Sequence, residues 1–143
     1  YGLTAHIHPN EQIVLDRLSE AAAKWGAPTD AYKGPIQYIQ EGEIIQFGSD
    51  LFKVLLTPGH SPGSVCFYHV EQDFMIGGDL IFKDGVGRTD LPGANPQDLI
   101  KSIREQIFPL PDSLTIYSGH GPETTWGREK EHNPYIKYIR SQS

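Results

Sequence analysis

Three times in this chain an apolar run breaks on glycine and at once presents a histidine or an aspartate. Leu51–Thr57 leads into Pro58-Gly59-His60-Ser61-Pro62-Gly63, Phe74–Ile76 into Gly77-Gly78-Asp79, and Leu114–Tyr117 into Ser118-Gly119-His120-Gly121-Pro122. Short apolar runs bounded by turn residues predict strands. Glycine at a strand end lets the backbone turn sharply and leaves room beside the side chain that follows. Imidazole and carboxylate are donors for a borderline cation such as Zn²⁺, and strand ends are rigid places to hold them. Taken singly, each residue is an ordinary turn or surface side chain. The shared context points to a metal site, although nothing in the sequence shows that the three ends converge.

The rest of the pattern predicts a mixed α and β class (α/β or α+β) with strands in the middle and helices around them. Residues 3–7 read as a short strand. Asn10 then caps a predicted helix to about Trp25, with Ile13, Val14, Leu18, Ala21, Ala22 and Trp25 at helical spacing and Gly26-Ala27-Pro28 ending it. Strands follow at Ile36–Gln40 and Glu43–Phe47, then at Leu51–Thr57, Val65–Val70 and Phe74–Ile76, with a turn at Glu71-Gln72-Asp73. A Gly-rich loop covers Asp84 to Asn95. A helix starts at Pro96 and runs through Leu99, Ile100, Ile103 and Ile107, with proline in its first turn. After the strand Leu114–Tyr117, Arg128 to Arg140 reads as a helix interrupted at Asn133-Pro134. Tyr135, Ile136, Tyr138 and Ile139 form its packing stripe. His69 and His132 read as surface or capping residues.

At 143 residues the chain is about one domain, and 38% hydrophobic residues suffice for a core. Its formal net charge of −6 argues against a nucleic-acid partner, which needs clustered Lys and Arg. No apolar run is long enough to span a membrane. The single cysteine, Cys66, sits in the apolar run Val65–Tyr68, which reads as core rather than nucleophile. A lone thiol and no legible secretory leader fit a reducing compartment, the cytoplasm.

The segments Thr57–Ser64, Gly77–Phe82 and Ser118–Thr125, in this order, resemble three signature segments of metallo-β-lactamase-fold hydrolases. Their surroundings, with Gly87-Arg88-Thr89-Asp90-Leu91-Pro92-Gly93 and Glu131-His132-Asn133-Pro134, are most similar to the glyoxalase II-like branch. The resemblance implies a four-layer αββα sandwich, of which residues 1–143 form the later part of one domain, incomplete at its N-terminal side. It implies that His60 is a ligand of a first metal, that Asp79 bridges two metals, and that His120 is a ligand of the second. The implied cofactor is zinc, two ions per complete site, with iron or manganese as variants. The implied reaction is hydrolysis of a small thioester, hydroxyacylglutathione-like, by a hydroxide held between the metals.

The family's H-x-H-x-D-H segment, which supplies two ligands to each metal, does not occur in this sequence. His6-Ile7-His8-Pro9-Asn10 imitates only its opening, and His6 and His8 are not expected to be ligands. Residues 1–143 are therefore expected to bind metal poorly and to be inactive alone. Arg88 and Asp90 stand where glyoxalase II places Lys and Tyr around glutathione. They are candidates for substrate binding or for an ion pair that steadies the loop. Two rival readings remain: a mononuclear iron persulfide dioxygenase, or a non-catalytic domain that works by association. An apolar sheet face left bare predicts a homo-oligomer.

Overall fold

The computed structural model describes residues 2–27 and 29–142, so the expected helix stop at Pro28 lies outside the described residues. The chain opens with β1 (Ala5–Ile7), a 3₁₀ turn (Pro9–Glu11) and two short helices, α1 (Gln12–Asp16) and α2 (Leu18–Lys24). One helix was expected here. The chain instead breaks at Arg17, whose φ and ψ of −96° and 4° leave the helical region. Asn10 does not cap it either: the Nδ1 of His8 accepts the Asn10 N–H at the start of the 3₁₀ turn. Ile13, Val14, Leu18 and Trp25 stay exposed, so the apolar spacing marks a face only partly covered among the described residues.

Six strands form the main sheet: β3 (Ile44–Phe47), β4 (Asp50–Leu56), β5 (Val65–His69), β6 (Phe74–Gly78), β9 (Thr115–Ser118) and β10 (Thr124–Thr125). Their order is β10-β9-β6-β5-β4-β3, while β2 (Ile36–Tyr38) pairs in parallel with β1 outside it. The pairs β4–β5 and β5–β6 are antiparallel and β6–β9 is parallel. Strands β4, β6 and β9 therefore all run in one direction. Their C-terminal ends, which carry the three glycine-bounded segments, emerge along one edge of the sheet. The β6–β9 register shifts between Ile76 and Gly78, an irregularity that re-aims the residue leaving β6. That residue is Asp79.

Alternation divides the sheet into two faces. Leu55, Cys66, Met75 and Ile116 point to the core, where they meet Leu99, Ile103, Ile107, Trp126, Ile136 and Ile139. Those last residues come from α3 (Pro96–Ser102) and its π-helical continuation Ile103–Ile107, and from α4 (Trp126–His132) and α5 (Pro134–Ser141). Each fully buried side chain of this size contributes about 1.5–3 kcal/mol by leaving water. On the other face Ile45, Phe47, Phe52, Phe67 and Ile76, together with His6, line a groove of about 400 Å³. His69, expected as a surface or capping residue, is buried and caps the turn that follows. Strand pairing sets it between Phe52 and Phe74, it stacks on Phe74, and its Nδ1 accepts the Gln72 N–H. Tyr135 and Tyr138 leave the expected packing stripe and stay exposed, and only Ile136 and Ile139 are buried.

Two strands, β7 (Ile81–Phe82) and β8 (Gly85–Val86), form a small hairpin. Its turn reaches into the stretch expected to be a plain loop. Asp84 turns it with φ of 64°, a conformation that Asp tolerates better than most residues. The helix α4 starts at Trp126, two residues before the expected Arg128, capped by Thr125. Asn133 ends α4 and caps α5 by accepting from the N–H groups of Tyr135 and Ile136. Among the described residues no helix is long and apolar enough to cross a membrane.

Candidate metal centre

Hydrogen bonds tie the chain around each of the three strand ends. The loop after β4 is tied from three directions. Glu11 accepts from the Ser61 hydroxyl at 2.9 Å and from the Gly63 N–H at 2.7 Å. The Ser102 hydroxyl donates to the Pro58 carbonyl, and the Asn95 N–H donates to the Gly59 carbonyl. Gly59 has φ of 141°, and a Cβ there would lie 2.4 Å from the Leu99 Cα, so this loop can seat on α3 only with glycine. Sequence reasoning missed Glu11, because its partners lie some fifty residues away.

The result brings all three candidate residues together. Asp79 Oδ2 lies 3.4 Å from His60 Nε2 and 3.4 Å from His120 Nε2. His60 and Asp79 are largely shielded, whereas the His120 side chain is 79% exposed. The Nδ1 of His60 sits 2.9 Å from the Arg88 carbonyl oxygen. A carbonyl only accepts, so Nδ1 carries a proton, and Nε2 is the ring nitrogen that faces Asp79. Gly119 makes close approach possible, since a Cβ there would meet Asp79 Oδ1 at 2.3 Å.

The donor chemistry fits a divalent cation. Two donors on one tetrahedral ion with bonds of about 2.1 Å lie about 3.4 Å apart, which is the spacing of each His–Asp79 pair. Yet among the described residues no group of three His, Cys, Asp or Glu side chains could hold one ion. The arrangement is one carboxylate oxygen flanked by two histidines. His8 caps its turn and His6 lines the groove on the sheet face, so neither adds a donor here.

Arg88 and Asp90 form a bidentate ion pair with contacts of 2.7 and 2.8 Å. The guanidinium of Arg88 pulls the exposed Asp90 carboxyl down to about 2. The side chains satisfy each other, while the Arg88 backbone serves His60. Cys66 is buried among the core strands, and burial pushes its thiol up to about 12. It is no nucleophile. Native chain at pH 8 is expected to resist alkylation by iodoacetamide, with labelling only on denaturation; rapid native labelling would contradict its burial.

Next to the site lies a polar cluster that sequence reasoning also missed. Glu129, fully buried, accepts from the Thr124 hydroxyl, from the Asp84 N–H at 2.9 Å, from Asn133 Nδ2 at 2.9 Å and from Arg128 Nη1 at 2.7 Å. Burial pushes the Glu129 carboxyl up, but these four donors outweigh it and hold it below the usual range.

Comparison with known proteins places this architecture. The sequence model of the Metallo-beta-lactamase superfamily matches residues 4–120. Hydroxyacylglutathione hydrolase GloC of Haemophilus influenzae is 39% identical over 127 residues, covering 88% of this chain and 60% of that protein. The probable metallo-hydrolase YqgX of Bacillus subtilis is 36% identical over 137 residues, covering 95% and 65%. The structure of TTHA1623 in a di-iron-bound form superposes with a TM-score of 0.85 at 39% identity, over 93% of this chain and 65% of that one. BLEG-1 B3 metallo-beta-lactamase gives 0.83 at 36% identity, over 92% and 64%. The chain thus spans less than two thirds of the length of each.

Proposed function

This chain belongs to the metallo-beta-lactamase superfamily, and on that footing we propose that it carries metal ligands of a glyoxalase II-like hydrolase for small thioesters. The observation that carries the reading is the Asp79 carboxylate oxygen set 3.4 Å from both His60 Nε2 and His120 Nε2. His60 and Asp79 would hold one ion, Asp79 and His120 the other, with further donors needed for each. Zinc is the cation proposed. Divalent ions bound there would lower the pKa of water and polarise a carbonyl, chemistry that needs no protein nucleophile.

The chain's own residues prepare that site. The Arg88 carbonyl holds His60 in the tautomer whose Nε2 is free to coordinate. Asp79 supplies the negative charge between the two imidazoles, and the exposed flank at His120 leaves an approach for substrate. The similarity to hydroxyacylglutathione hydrolase GloC supports a thioester substrate. The di-iron-bound form of TTHA1623 supports a second reading in which iron is the native metal.

The test is made on the whole natural protein. The expected result is two equivalents of zinc and hydrolysis of S-lactoylglutathione that chelator abolishes. Iron in place of zinc, with oxygenation of a persulfide instead of thioester cleavage, would replace this reading with the iron enzyme. No metal-dependent turnover at all would favour an association domain. Residues 1–143 alone, with two donors per ion, are expected to hold at most one zinc, weakly, and to be inactive.

A further inference from the structure

The β7–β8 hairpin and the residues flanking it adjoin all three candidate ligands. Asp79 lies two residues before Ile81, where the hairpin begins. At its exit Gly87 donates to the Leu80 carbonyl, and a Cβ at Gly87 would collide with the Asp79 carbonyl oxygen at 1.9 Å. The next residue, Arg88, holds His60 through its carbonyl. The Ser118 hydroxyl, two residues before His120, donates to the Ile81 carbonyl at 2.6 Å, and the Phe82 ring lies 6.0 Å from the His120 ring.

The far end of this hairpin is gripped by side chains from one short stretch of sequence. Glu129 accepts the Asp84 N–H at the turn, and Arg128 clamps the Asp84 carboxylate with both terminal nitrogens at 2.8 and 3.0 Å. Asn133 Nδ2 donates to the Gly85 carbonyl and to Glu129 itself. A two-residue strand pair of this kind has little stability of its own. Its conformation is set by what holds the turn.

We propose that Glu129, with Arg128 and Asn133, is a positioning hub that grips the β7–β8 hairpin and through it sets the mutual placement of His60, Asp79 and His120. The inference rests on the reading of those three residues as metal ligands. It assigns Glu129 no contact with metal or substrate. Its effect is exerted through the hairpin, as outer partners of a metal site orient the inner ones.

The experiment follows the ring nitrogens of His60 and His120 by NMR in ¹⁵N-labelled chain, without metal and during titration with zinc chloride. In the unaltered chain His60 is expected as the Nδ1–H tautomer, and zinc shifts both Nε2 signals. In Glu129→Gln, folded by circular dichroism at the measuring temperature, His60 is expected to lose its single tautomer. The zinc concentration needed for half-shift is expected to rise about 10–100-fold, the range for loss of an outer partner. Arg128→Lys, which keeps the charge but loses the two-nitrogen grip on Asp84, is expected to fall between. It carries the test by the same two criteria if Glu129→Gln does not fold. Lys130→Ala, on the same helix but paired with Asp112 away from the hairpin, is expected to change neither readout. A folded hub variant with the unaltered tautomer and zinc response overturns the hub. An unaltered chain whose His60 and His120 ring nitrogens ignore zinc overturns the ligand reading instead.

Discussion

Glu129→Ala is expected to lower the stability of the chain by about 3–5 kcal/mol, the usual cost of breaking a buried charged pair from one side. The variant takes one acceptor from four donors, the Thr124 hydroxyl, the Asp84 N–H, Asn133 Nδ2 and Arg128 Nη1, of which Asn133 keeps the Gly85 carbonyl and Arg128 keeps Asp84. For a chain of this size that corresponds to a fall in Tm of about 10–15 °C, read by thermal denaturation. A fall of less than about 3 °C would show that water replaces the lost acceptor and that the cluster is not a closed unit. The pH dependence has a definite sign. The folded carboxyl of Glu129 lies below its ordinary 4.5, so its stabilisation is fully present above that value and disappears as pH falls through the folded one. The gap between the two proteins is therefore expected to be constant from neutral pH down to about 5 and to close in stronger acid.

Asp79→Asn is expected to abolish zinc binding by residues 1–143, while His60→Ala and His120→Ala only weaken it. Asp79 is the one donor common to both pairs, at 3.4 Å from each histidine. The amide is nearly isosteric, so the fold is expected to be kept, but it removes the negative charge that draws a divalent cation to the oxygen between the two imidazoles. In calorimetric titration the loss should exceed about 100-fold, beyond what outer partners contribute. Zinc binding by Asp79→Asn at the unaltered affinity would mean that the two histidines hold the ion without the carboxylate. The assignment of Asp79 as the shared ligand would then be lost.

The three strand ends were legible because their signals are local. An apolar run, a glycine and a donor side chain sit within about ten residues or fewer, and both strand periodicity and glycine's freedom act over that range. The same holds for the helix entering at Pro96, whose cap, Asn95, is its immediate neighbour. The helix expected from Asn10 to Trp25 shows where local signals stop. Its apolar residues recur at the right spacing, but periodicity describes a face and not what covers it. The stretch breaks at Arg17 and leaves Ile13 and Leu18 in the open.

From its sequence alone this protein was bound to present His60, Asp79 and His120 each at the mouth of a glycine turn, and to bury Cys66 within a strand. Only the tertiary structure decided that the three mouths open side by side. That outcome depends on β4, β6 and β9 running the same way, which follows from two antiparallel pairings and one parallel pairing across the sheet. It likewise decided the supports of the site. Glu129 meets the Asp84 N–H across 45 residues, and Glu11 meets Gly63 across 52. Nothing in the local sequence distinguishes these two carboxylates from the solvated ones around them. A buried carboxylate is stable only once folding has brought its donors to it, and those donors are distant in the chain.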